Sequence, residues 1–167
     1  MVTPEKEAAG RVVVSRSFKA SRHRVFRAWT EPELLMKWFV DSDGEISACR
    51  MDLRQGGEYR LEGTVGDKPW AIWGRYLEVR PSEKLVYTWQ WDNDPALGEP
   101  QGDDTVVTVE FRDRGAETEL VVTHERFATA RAREEHAEGW KGCLDRLVAQ
   151  VLAPSPGSPL LTEGSVS

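Results

Sequence analysis

Apolar positions along the chain follow two periods, and the switches between them mark out the elements. In "RVVVSRSF" (11 to 18) Val12, Val14 and Phe18 alternate with polar residues, the signature of a strand with one buried face, interrupted by Arg16. Beyond it the spacing becomes helical. Ser21 is a good N-cap for a short helix carrying Val25, Phe26 and Trp29, and Thr30-Glu31-Pro32-Glu33 reads as a capping box with Pro in the first turn. This predicts a second short helix over 31–38, bearing Leu34, Leu35 and Trp38. From about 45 the period returns to two, broken by turn signals at Gly56-Gly57, Gly66-Asp67, Pro81-Ser82, 92–104 and Asp113 to Gly115. Six strands are expected, near 45–53, 57–64, 70–80, 84–92, 104–112 and 117–126, joined as hairpins into an antiparallel meander. After Phe127 the helical period resumes. His136, Trp140, Cys143, Leu144, Leu147 and Val151 form one stripe on a helix of about 20 residues.

A twisted antiparallel sheet that buries one face needs a cover, and the C-terminal helix is the element large enough to provide it. The sheet is therefore expected to curl around that helix. In "LVYTWQW" (85 to 91), Leu85, Tyr87, Trp89 and Trp91 share one face, with Val86, Thr88 and Gln90 behind them. The same parity puts Val107, Val109 and Phe111, then Leu120, Val122 and His124, on the matching faces of the next two strands. In the preceding strand Trp70, Ile72 and Tyr76 form the inner set and Trp73 the outer one. Parity alone leaves open whether the inner rings are packed core or the lining of an apolar pocket.

Composition and charge narrow the classes. The 167 residues fit one domain, with 40% apolar content enough for a core. Tails without periodicity are expected at 1–10 and at 153–167, the latter rich in Pro, Ser and Gly, around a domain over 11–152. A net charge of −6 argues against nucleic acid and anionic membrane surfaces as partners. No apolar run is long enough to span a bilayer, and the start lacks the apolar core of a signal peptide, so a cytoplasmic protein is expected. Cys49 and Cys143 are the two cysteines, and neither has a second Cys or a His at ligand spacing, so no metal is expected. The chain contains no nucleophile elbow, HExxH, phosphate loop or Rossmann fingerprint, and no cofactor is expected. "DNDPALGEPQGDD" (92 to 104) holds five acids but lacks calcium-loop spacing, and reads as a solvated hairpin loop, with gating of a cavity as the alternative.

Five segments in order, "RSFKASRHRVFRAWTEPELLMKWF" (16 to 39), "DLRQGGEYR" (52 to 60), "GRYLEVRPSEKLVYTWQW" (74 to 91), "VTVEFRDRGAETELVVTHERF" (107 to 127) and "HAEGWKGCLDRL" (136 to 147), resemble the START-like superfamily. The branch they resemble is that of bacterial proteins similar to the C-terminal domain of the activator of the heat-shock-protein-90 ATPase. The resemblance covers about 11–152. It implies an α+β helix-grip fold: a curved seven-stranded antiparallel sheet wrapped around the long C-terminal helix, with two short helices after the first strand and an elongated apolar cavity between sheet and helix.

What the resemblance implies for function is the binding of an apolar or aromatic small molecule, lipid-like or polyketide-like, with no chemistry of its own. The alternatives are a cyclase or dehydratase acting on a polyketide-like substrate, and an interaction module like the chaperone activator. Eukaryotic activators carry a separate chaperone-binding domain where only about ten residues precede the first strand here, so a chaperone partner is not expected; a homodimer stays open. The candidate ligand-binding residues are Trp38, Phe39, Tyr59, Trp70, Tyr76, Tyr87, Trp89, Trp91, Phe111, His124, Trp140, Cys143 and Leu144. His124 is the candidate acid/base group, because an imidazole among rings can bind or transfer a proton. Gly139 and Gly142, costly on a helix, mark either space for a ligand or close packing on the sheet.

Overall fold

A computed structural model of the chain describes residues 10–39, 44–92 and 105–152. The expected tails, apart from Gly10, and the expected hairpin loop from residue 93 lie outside these. The seven strands are β1 (Arg11–Phe18), β2 (Gly44–Met51), β3 (Glu58–Val65), β4 (Lys68–Arg80), β5 (Lys84–Asp92), β6 (Thr105–Arg114) and β7 (Glu117–Glu125). Two short helices, α1 (Arg22–Thr30) and α2 (Pro32–Leu35), follow β1, and a long one, α3 (Ala130–Leu147), ends in a π turn over Val148–Leu152.

The sheet is antiparallel with strand order β1-β7-β6-β5-β4-β3-β2. β2 to β7 run as a meander, and β1 leaves that order to pair with β7, from Arg11 opposite Glu125 to Phe18 opposite Thr118. Two register shifts, between Ile46 and Ala48 in β2 and between Tyr76 and Glu78 in β4, bend one half of the sheet. Gly56 takes a positive φ of 86° in the turn between β2 and β3, where a side chain would be strained.

The expected parities hold. Leu85, Tyr87 and Trp89, Val107, Val109 and Phe111, and Leu120, Val122 and His124 are all buried on the concave face, and Trp91 is half-buried at its margin. Trp70, Ile72 and Tyr76 are inside, whereas Trp73 and Leu77 stand 37% and 43% exposed on the convex face. Arg16, which broke the apolar alternation of β1, donates to Asp145 at 3.1 Å and to the Lys141 carbonyl, tying the sheet edge to α3.

Helix boundaries differ from expectation in one place. Ser21 caps α1 as expected, its Oγ accepting from Arg24 N at 3.2 Å. The capping box at Thr30 does not form: Thr30 ends α1, and its hydroxyl donates back to the Phe26 carbonyl at 2.9 Å. Glu31 is the N-cap of α2 without a side-chain bond, and α2 is a single turn rather than a helix to residue 38. The back-bonded threonine illustrates how Ser and Thr hydroxyls divide between caps and the preceding turn.

The glycines of α3 are also corrected. A Cβ built on Gly139 would meet nothing within 4 Å, and one on Gly142 would meet only the flexible end of Arg146. Neither glycine makes room for a ligand or brings the helix onto the sheet. The buried stripe of α3 is Ala132, Trp140, Cys143, Leu144 and Leu147, and Thr129 caps its start by accepting from Ala132 N at 3.0 Å.

Candidate functional site

The gap between the concave face and its cover is not uniform. Over β6 aromatic rings meet across it: Phe111 packs edge-on to Phe26 and Trp29, and Trp140 stacks on Trp29 with ring centroids 6.0 Å apart. Over β2 to β5 a void remains beneath α1 and α2. Its roof is Trp29, Leu35 and Phe39, and its floor is Tyr59 and Leu61, Ile72 and Tyr76, and Tyr87 and Trp89, with Met51 at the side. The enclosed space is about 20 Å³, within a depression of about 350 Å³ that includes space open to solvent. The former is roughly the volume that holds one water.

The cavity thus lies under the short helices, and none of its lining comes from α3. The reason is bulk: Trp140, Cys143, Leu144 and Leu147 are buried against the sheet and occupy the space expected to be open. α3 instead holds the roof in place. Cys143 Sγ donates to the Phe39 carbonyl and Arg146 Nε to the Trp38 carbonyl, at 3.4 and 3.2 Å, so the residues after α2 are anchored to the helix by their backbone. Phe39 and Met51 are the half-buried members of the lining, and form its solvent-side rim.

Of the candidate residues, the structure brings Phe39, Tyr59, Tyr76, Tyr87 and Trp89 together around the void. Trp38 is fully buried beside it and donates to the Ala28 carbonyl at 3.0 Å. Trp70 and Trp91 pack on each other edge-on, and Phe111, Trp140, Cys143 and Leu144 belong to the packed core. Trp29, Leu35, Met51, Leu61 and Ile72 line the void without having been singled out as ligand contacts. Each was visible in the sequence only as an apolar residue at helical or strand period, and which of them meet depends on how α1 and α2 fold across the sheet.

Polar groups of the core are almost all paired. Trp29 Nε1 donates to the Tyr87 hydroxyl at 3.2 Å, and Tyr59 donates to the Thr88 carbonyl at 2.6 Å. His124 accepts at Nδ1 from Trp140 Nε1 at 3.0 Å. Its Nε2 lies 2.8 Å from Thr105 Oγ1, whose own hydrogen goes to the Trp89 carbonyl. His124 is therefore a neutral imidazole protonated at Nε2, donating to Thr105. Burial, and then the neighbouring His136, holds its pKa well below the usual value. His136 repeats the pattern one ring away: Nε2 accepts from Trp91 Nε1 at 2.9 Å, and Nδ1 faces the Ala132 carbonyl at 2.8 Å. Both nitrogens of His124 are engaged within the protein, which leaves neither to a substrate. Burial also pushes the phenols of Tyr76 and Tyr87 up, so both stay protonated. The Cys49 thiol is pushed up to about 11, by burial and by Glu33, and is no nucleophile at neutral pH.

Two buried donors among the described residues lack a partner, Arg133 Nε in the first turn of α3 and Trp89 Nε1, and only the second belongs to the hydrophobic core. Trp89 Nε1 has no hydrogen-bond partner, although the residue is only 6% exposed. A buried donor left unmade costs about 1–3 kcal/mol. Among the described residues no cluster of His, Cys, Asp or Glu is placed to hold a metal ion, and no helix is long and apolar enough to cross a membrane.

A sequence model of one family, described as Activator of Hsp90 ATPase homolog 1-like protein, matches residues 19–151, from the end of β1 to the π turn. The chain belongs to that family. Solved structures of similar proteins share its fold. A Chromobacterium violaceum protein is 27% identical, covers 87% of this chain and 99% of its own, and superposes with a TM-score of 0.73. A Nitrosomonas europaea protein is 28% identical over 84% of this chain and 92% of its own, with a TM-score of 0.68. The AHSA1 protein of Silicibacter pomeroyi, at 21% identity, 83% and 95% coverage and a TM-score of 0.71, shares the fold. No curated protein matches the chain. The seven-stranded curved sheet, the long C-terminal helix and the two short helices after β1 make it a helix-grip member of the START-like superfamily.

Proposed function

We propose that this domain binds an apolar small molecule with aromatic character, in the void between the α1–α2 cover and strands β2 to β5. The observation that carries the reading is the lining itself: ten apolar and aromatic side chains from six segments converge there. Apolar concave sites with few polar groups are the usual form of small-molecule pockets. The enclosed space holds no more than a water, so a ligand enters by displacing the rim. Phe39 is the residue to move, since its ring is half-buried at the rim while its backbone is tied to α3 through Cys143.

The cyclase or dehydratase alternative has less support, because its acid/base candidate has both ring nitrogens bonded inside the core. The test of the binding reading is native mass spectrometry of protein purified from its own cells, with titration of tryptophan fluorescence by apolar aromatic compounds. Saturable quenching at one site per chain is expected. Phe39→Ala, which opens the rim, is expected to speed ligand entry at least severalfold in stopped-flow quenching. A bare mass together with no saturable quenching by the native protein or by Phe39→Ala rejects the proposal.

A further inference from the structure

The indole of Trp89 says more about the ligand than the apolar lining does. Of the seven Trp in the chain, five donate their N–H to a defined acceptor: Trp29 to Tyr87, Trp38 to Ala28, Trp73 to Asp92, Trp91 to His136 and Trp140 to His124. The fold is thus able to supply acceptors to its indoles, even deep in the core. Trp89 is buried at the centre of the same cluster, with Phe39, Trp91, His124, His136 and Trp140 all within about 6 Å between ring centroids, and still its Nε1–H has no partner. Ring acceptors of the surrounding core serve other indoles. His124 Nδ1 takes the Trp140 proton and His136 Nε2 the Trp91 proton, while the Tyr87 hydroxyl takes that of Trp29. Trp89 is also a wall of the void. An unsatisfied donor in a native core calls for an explanation, and a partner from outside the chain, entering beside this ring, supplies one.

We infer that the ligand of this void is a largely apolar, flat molecule carrying one hydrogen-bond acceptor, a ketone-, ester- or ether-type oxygen, which accepts from Trp89 Nε1. A pure hydrocarbon would fill the space and leave the donor unmade; a ligand with several polar groups would bury them against phenyl, indole and aliphatic walls. No Lys, Arg or His is among the residues that line the void, so an anionic ligand would be buried there without a counter-charge. This inference rests on the binding reading above.

A matched pair of probes tests it. Fluorene and 9-fluorenone have nearly the same shape and differ in one carbonyl. Fluorenone is the more water-soluble, so apolar transfer alone ranks it second. Dissociation constants are measured for both with the wild-type protein and with Trp89→Phe, which keeps an aromatic ring and removes the donor. The expected result is at least tenfold tighter binding of fluorenone to the wild type, collapsing to within about twofold in Trp89→Phe. If the wild type binds both equally, or the preference survives in Trp89→Phe, the acceptor inference is wrong and the pocket reading stands. If neither probe binds the wild type, the pocket reading falls and this inference with it. Should Trp89→Phe fail to fold, the wild-type indole N–H resonance of Trp89 decides: it moves downfield with fluorenone and not with fluorene, and an unmoved resonance in the bound state overturns the inference.

Discussion

His124 shows how a residue chosen for its chemistry becomes a structural part once its neighbours are in place. The imidazole accepts from one tryptophan and donates to Thr105, and Thr105 in turn bonds the Trp89 carbonyl, so one side chain ties β7 to β5, β6 and α3. Its pKa in the fold lies below the ordinary 6.5. The unfolded chain therefore binds the proton more readily than the folded one. The stability His124 contributes is fully present above about pH 6.5 and is lost progressively as the pH falls below it, by up to about 1.4 kcal/mol per pH unit while one proton separates the states. Urea unfolding between pH 7.5 and 5 checks this. A His124→Gln variant is expected to be less stable at pH 7.5 by about 1–3 kcal/mol, and to show a shallower acid slope than the wild type. An equal slope in both would assign the acid sensitivity elsewhere.

At the scale of elements, the period-two and helical patterns placed all seven strands and the long helix, because each has a buried face and an exposed one. The finer signals did less well where two local interactions compete. Thr30-x-x-Glu33 has the letters of a capping box, but the hydroxyl is satisfied within the last turn of α1, and α2 closes after one turn. The glycines of α3 carry a penalty with neither of the expected compensations, ligand space or close packing on the sheet. With open space where its Cβ would be, Gly139→Ala is expected to raise stability by about 1 kcal/mol, the helix propensity difference alone. A shift in the urea midpoint without a change in slope is the observation that checks it; destabilisation would show that the backbone at 139 needs freedom the helix does not reveal.

For the whole molecule, the pairing of β1 with β7 is the decisive closure. It joins the first and last strands of the domain, roughly a hundred residues apart, and brings Val12 and Val14 into the same core as Val122 and Trp140. Non-local closure of this kind slows folding, so refolding by stopped-flow tryptophan fluorescence is expected on the millisecond-to-second scale. A microsecond phase carrying the full amplitude would contradict it. The same closure explains why the two halves of the concave face differ. Rings of α1 and α3 pack over Phe111 and His124 in β6 and β7, whereas β2 and β4 carry bulges and the void lies between β2 to β5 and the residues Trp29, Leu35 and Phe39.

What the sequence determined by itself is the set of elements, their faces and the inward aromatic set of "LVYTWQW", because alternation and helical spacing are local properties of adjacent residues. The resemblance of five ordered segments added their helix-grip arrangement. Only the tertiary structure decided which inward rings meet a void and which meet each other. Parity says that Trp89, Trp91 and Phe111 face inward, but not what stands opposite. Phe111 meets Phe26 and Trp29 and becomes core; Trp91 gives its N–H to His136; Trp89 is left beside the void with a donor unspent. These outcomes depend on contacts between residues tens of positions apart, and on volumes summed across several elements, which no periodicity along the chain encodes.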